Sequence, residues 1–145
     1  MSVINDVLLA VIGMAEEVLY PTEETPKKGE TRDPFTVINI GALPADDKIC
    51  MSISGGWPEH TFNDKGMEYE LNLVLNGKHS SQQTVSNALN DIHQGLTQTK
   101  DYPQDTDYQI TNIETTASPN YIGREENKQY LYGSSLKVRF YYRKD

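Results

Sequence analysis

Cysteine is all but absent from the 145-residue chain: Cys50 stands alone. A lone cysteine excludes an intramolecular disulfide and a thiolate metal site, and the chain reads as one of intracellular origin. Long apolar runs are missing too. The leading stretch MSVINDVLLAVIGMAEEVLY is broken by Asp6, Glu16 and Glu17 and lacks a basic opening region. It therefore reads as a periodic helix and not a signal peptide. No window of about 18 apolar residues exists to span a membrane. Positive charge is scarce. Thirteen Lys and Arg stand against 21 Asp and Glu, a net charge of −8, which argues against a whole surface that grips nucleic acid, since such binding rests on clustered cations releasing phosphate counterions. A local basic patch is compatible with that balance.

What is present is enough for one modest core in a single domain over residues 1–145. Ile4, Val7, Leu8, Val11, Ile12, Ala15, Val18 and Leu19 recur at three- and four-residue spacing, which predicts an amphipathic helix over about residues 3–19, capped by Ser2 and ended by Pro21. Residues 21–34, with three prolines and mixed charge, read as a mobile loop. FTVINIGAL and KICMSIS are rich in β-branched residues and predict two strands joined by a turn. Glycine and proline punctuate residues 54–67, which read as a second mobile loop. MEYELNLVLNGK alternates Tyr69, Leu71, Leu73 and Leu75 against polar residues and predicts a strand closed by Asn76 and Gly77.

Val85, Ala88, Leu89, Ile92 and Leu96 form one stripe behind Ser80 or Ser81, predicting a second amphipathic helix over about residues 81–98. Gly95 inside it costs up to about 1 kcal/mol against alanine, so a frayed last turn is expected. YQITNIETTAS predicts a strand whose alternation fails between Ile110 and Ile113, and a bulge near Thr111 or Asn112 repairs it. PNYIGREENKQYLYG is either a hairpin arm or a loop, and the last strand is expected from about Ser134. The order α-β-β-β-α-β-β defines an α+β fold, a mostly antiparallel sheet with both helices packed on it.

Candidate chemistry is sparse. His60, His79 and His93 share no metal-ligand spacing. Cys50 lies in ICMSIS, where a small buried thiol is the ordinary reading and a nucleophile the rarer one. The glycine turns at Ser54-Gly55-Gly56 and Asn76-Gly77-Lys78 lack the rest of a phosphate-binding loop, and the neighbouring carboxylates Glu16-Glu17 and Glu125-Glu126 read as solvated. No catalytic, cofactor-binding or metal-ligating set emerges.

The terminal stretch LYGSSLKVRFYYRKD raises a different possibility. Lys137, Arg139 and Arg143 share one parity while Val138, Phe140 and Tyr142 share the other, so a strand would carry its cations on one face. With Tyr130, Tyr132 and Tyr141 they could stack and hold single-stranded nucleic acid. The ordinary alternative is a solvated or subunit-facing surface. Trp57, between Gly56 and Pro58, is a further contact candidate, because tryptophan is enriched at binding hot spots.

The runs LNLVLNGKHSSQQTVSNALNDIHQGL and YQITNIETTASPNYIGREENKQYLYGSSLKVRFYYR resemble minor capsid proteins of tailed phages of Gram-positive bacteria, in the tail-terminator position. The resemblance spans about residues 68–143 and rests on a strand ending in NGK, a helix of AL..I...L form, an SPNYIGRE turn and a closing SLKVRFY strand. It implies a structural virion protein at the top of the tail, assembled in the host cytoplasm, without enzymatic activity or cofactor. The implied partners are further copies of itself in a hexameric ring, the major tail tube protein and a head-completion or neck protein. DNA would pass through the ring without specific binding. On this reading Trp57, Arg124, Lys137, Arg139 and Arg143 are the expected interface residues.

Overall fold

A computed structural model describes residues 3–19, 38–41, 47–61, 66–99, 101–102, 108–126 and 128–143, with the side chains of 56–61, 66 and 143 outside that description. Helix α1 (Val3–Leu19) is followed by strands β1 (Ile38–Ile40), β2 (Lys48–Thr61) and β3 (Gly66–His79), helix α2 (Gln82–Thr97), and strands β4 (Tyr108–Arg124) and β5 (Tyr130–Arg143). The α+β class and the element order are those the sequence predicts. The expected cap at Ser2, the stop at Pro21 and the loop at 21–34 lie outside the described residues.

One five-stranded sheet in the order β1-β2-β3-β5-β4 is antiparallel throughout, except that β1 runs parallel to β2. Strand alternation sorts the central strands into two faces. The inner face carries Leu71, Leu73 and Leu75 of β3 beside Val138, Leu136 and Phe140 of β5, all within 1% of full burial. Taking each such side chain out of water contributes about 1.5–3 kcal/mol. Val85, Ala88, Leu89, Ile92 and Leu96 of α2 cover that face, and Val7, Leu8, Val11, Ile12 and Ala15 of α1 join the same core. Ser81 is the cap of α2, its hydroxyl accepting from the Thr84 N–H at 3.4 Å. Glu16, read from sequence as a solvated carboxylate, instead accepts from the Ile38 N–H at 2.9 Å and ties α1 to β1.

Three boundaries differ from the sequence reading, each for a physical reason. The loop expected at 54–67 is largely the arms of a long hairpin: β2 runs to Thr61 and β3 starts at Gly66. Register shifts after Ile53 and after Pro58 absorb Ser54 and Glu59 as extra residues. Beyond Met51 the one described partner of β2 is β3, so Pro58 sits on an edge strand, where proline is tolerated. β3 passes through Asn76 and Gly77 to His79 instead of closing there. Gly77 marks a close approach, since a Cβ at that point would stand 2.9 Å from Val85 Cγ2 and 3.2 Å from Ile49 Cγ1. The SPNYIGRE segment is strand and not turn, because β4 continues to Arg124 and β5 begins at Tyr130, ahead of Ser134.

The bulge expected near Thr111 is present, between Ile110 and Asn112, and the Thr111 hydroxyl donates to the Arg139 carbonyl at 3.2 Å. Gly95 does not end α2, which continues to Thr97. It is the point where α1 meets α2: a Cβ there would lie 2.5 Å from Val18 Cγ2. Gly95→Ala therefore destabilises the fold although it improves helix propensity by about 1 kcal/mol. In a denaturant-unfolding double-mutant cycle, Val18→Ala should relieve that cost by roughly 1 kcal/mol or more; additive effects would show that the helices do not meet there.

Candidate functional site

The cation row of β5 is placed by the sheet register. Across the outer face, Lys137 stands between Asn72 of β3 and Glu114 of β4, and Arg139 stands between Glu70 and Asn112. Antiparallel neighbours put such side chains within reach of each other. Lys137 Nζ lies 3.1 Å from Glu70 Oε1 and 3.4 Å from Glu114 Oε1, and Arg139 Nη2 lies 4.0 Å from Glu70 Oε2. The hydrogen bond to Glu70 raises the Lys137 ammonium above its ordinary pKa, with burial opposing and Glu114 assisting, so Lys137 stays charged and paired. Lys137 and Arg139 are thus part of a mixed-sign lattice and not a bare pair of cations. Glu70 and Glu114 were missed from the sequence, although Glu70 sits on the polar parity of MEYELNLVLNGK, where an outer-face partner could have been sought.

The five expected interface residues do not converge on one spot. Trp57 shares a register row with Glu70 and, through it, Arg139; only its backbone is described. Arg143 pairs with Gly66 near the far end of the ladder, its side chain likewise undescribed. Arg124 closes β4, exposed, with its guanidinium 5.1 Å from the Tyr130 ring centre. The three tyrosines of the stacking hypothesis are divided. Tyr132 is buried, its hydroxyl accepting from Gln82 Nε2 at 2.6 Å, and only Tyr141 shares the parity of Lys137 and Arg139.

Polar side chains collect at the other end of the sheet. His79 Nδ1 accepts from the Ser81 N–H at 2.8 Å while its Nε2 lies 3.7 Å from Asp47. The Asp47 N–H donates to Gln129 Oε1 at 3.1 Å, and Lys78 pairs with Glu125 at 3.0 Å. These contacts join the start of β2, the end of β3, the cap of α2 and the β4–β5 turn. His93 is elsewhere, buried under α2 with Nδ1 2.8 Å from Thr115 Oγ1. His60 lies on β2 with its side chain undescribed. Among the described residues no three His, Cys, Asp or Glu side chains converge as a metal site. Burial pushes the Cys50 thiol up, only partly offset by hydrogen bonding with Asn76, the opposite of an activated nucleophile.

A family model for bacteriophage tail terminator proteins matches residues 27–142, and the chain belongs to that family. No curated protein matches it individually. Among solved structures, a chain described as from the virion of a native gene transfer agent particle shares the fold with a TM-score of 0.54 at 11% identity, over 91% of this chain and 98% of that one.

His93 gives the fold a pH dependence. Burial lowers its pKa below the ordinary 6.5, and Nε2 has no hydrogen-bond partner among the described residues. The folded state therefore holds the imidazole neutral while the unfolded chain takes up a proton near pH 6.5. The stabilisation is complete above about pH 6.5 and is lost as the pH falls toward the depressed folded value. Melting temperatures between about pH 7 and pH 5 should fall more steeply for the parent than for His93→Gln; equal slopes would mean that His93 does not contribute.

Proposed function

We propose that the chain caps the phage tail tube, stops its polymerisation and presents the docking surface between tail and head. The family match over residues 27–142 carries this reading. The shared fold of a chain from a gene transfer agent virion supports it. In this role the protein works at the top of the tail as a closed ring of identical copies, a hexamer, assembled in the host cytoplasm. Its partners are the major tail tube protein on one side and a head-completion or neck protein on the other. The ring carries no catalysis and uses no cofactor. Trp57, Arg124, Lys137, Arg139 and Arg143 act at contacts with neighbouring copies or those partners, Lys137 and Arg139 as cations already matched by Glu70 and Glu114.

A phage whose copy of this chain is deleted should produce tails of uncontrolled length that carry no heads, and purified chain added to elongating tubes should stop them. Electron microscopy reads both. Tails of parental length in the deletion would remove the terminator role.

DNA passes through the ring without being held. The paired cations of β5 and the net charge of −8 support a lumen that does not trap phosphates. The competing reading, a single-stranded nucleic-acid module, predicts retention of an oligonucleotide at low salt that collapses as salt rises. We expect no measurable binding at physiological ionic strength. A salt-sensitive submicromolar complex, abolished by Lys137→Glu with Arg139→Glu, would put the nucleic-acid reading first.

A further inference from the structure

The sheet has two lateral edges that no described strand covers. On one side β4 has a partner only in β5. On the other, β1 pairs with β2 over residues 49–51 alone, so Ile40 on the outer side of β1 and residues 52–61 of β2 have no described partner strand, while the Ile38 N–H is already taken by Glu16. Five large apolar side chains are exposed among the described residues, and four of them lie at these edges: Ile40 and Ile53 on one, Tyr121 and Ile122 on the other, with Leu9 on α1 the exception. Ile40, Tyr121 and Ile122 each leave more than half of their surface in solvent.

The two patches stand at the same height in the sheet. Following the register from strand to strand, Ile53 aligns through Leu73 and Leu136 with Thr115, and Ile38 aligns through Ile49, Gly77 and Tyr132 with Tyr121. The stretch from Ile38 to Ile53 therefore spans the same levels as residues 115–121. Directions also match. β1 and β2 run one way and β4 runs the opposite way, so a neighbour turned about an axis along the strands meets β4 in antiparallel orientation. Residues 115–123, TTASPNYIG, carry no charge, and neither do Asn39, Ile40, Ser52 and Ile53; Glu16, on the Ile38 N–H, is the charge at the start of β1. Free sheet edges are ordinarily guarded by charged side chains, which residues 115–123 and Ile40, Ser52 and Ile53 do not themselves carry.

We propose that the β4 edge of one copy docks on the β1–β2 edge of a second copy of this chain, continuing the sheet from subunit to subunit. This rests on the ring reading above and names the surface that closes it. A second copy is the occupant because both halves of the contact, level and opposite in direction, are present in the same chain, whereas a foreign strand would account for one edge only. Such a contact is heterologous, so rotation closes it into a ring and each subunit uses both edges. The register shifts along β4 and Pro119 within it keep the added pairing short, which limits runaway association of free subunits.

Two exposed positions test this. Ala117→Lys places a charge on the β4 edge and Ile40→Lys one on the opposite edge. Both variants should keep the parental melting temperature as monomers, and each alone should fail to form rings under conditions in which the parent assembles, with or without isolated tail tubes. Mixed together, they should yield a dimer of twice the 16.4 kDa chain mass and nothing larger, because one good edge remains on each. Independently of the variants, ring formation by the parent should slow amide exchange at Ile40 and in residues 115–123, the Ile38 N–H being bonded to Glu16 already. Rings formed by either folded variant, a mixture without dimers, or unchanged exchange in a ring-forming parent would overturn the edge contact and leave the ring intact. A parent that never assembles, even on tubes, would overturn the ring reading and the contact with it.

Discussion

Every residue of β3 from Gly66 to His79 has a partner on β5, without a single register shift. A strand pairing held over that length allows one side-chain parity on each face, because a slip of one residue would exchange core and solvent positions together. The rest follows from this ladder. Its inner parity supplies the leucine floor on which α2 rests, with Gly77 admitting the helix close to the sheet. Its outer parity brings Glu70 beside Lys137 and Arg139. The ladder is thus the common origin of the hydrophobic core and of the charge lattice.

That common origin explains what could be read from the residues in order. The stripes of α1 and α2, the alternation of β3 and β5 and the bulge at Thr111 are local patterns written by one buried face, and they are legible because burial repeats with the period of the element. Residues 54–61 and 119–124 were misread or left open because they border the sheet where little covers them. A strand held by its backbone ladder alone needs no apolar alternation, and its glycines and prolines imitate a loop. Gly95 was read as a flaw in α2 because its reason, Val18, is far away in sequence. The partners of the cation row were hidden in the same way, since Glu70 and Glu114 belong to other strands.

The opening up of function follows the same division between faces and edges. On the outer face, Lys137 and Arg139 meet Glu70 and Glu114 within the subunit. At the edges, the exposed apolar side chains of Ile40, Ile53, Tyr121 and Ile122 lie on strands with no described outer neighbour. A protein from the tail terminator family is made to meet other chains, and backbone edges are directional in a way that a polar face is not.

The seating of α1 has a bearing on how the chain is made. Its apolar residues Val7, Leu8, Val11 and Ile12 find their cover in a core whose other walls are α2 and the late strands, and Val18 meets Gly95. Helix α1 leaves the ribosome before the helix and strands it packs on and must wait for them, on the order of seconds at ordinary rates of synthesis. During that interval an apolar stripe is offered to water ahead of its own docking site. Its two glutamates, Glu16 and Glu17, give the nascent segment some solubility while it waits, and Glu16 later becomes the carboxylate that fastens it to β1.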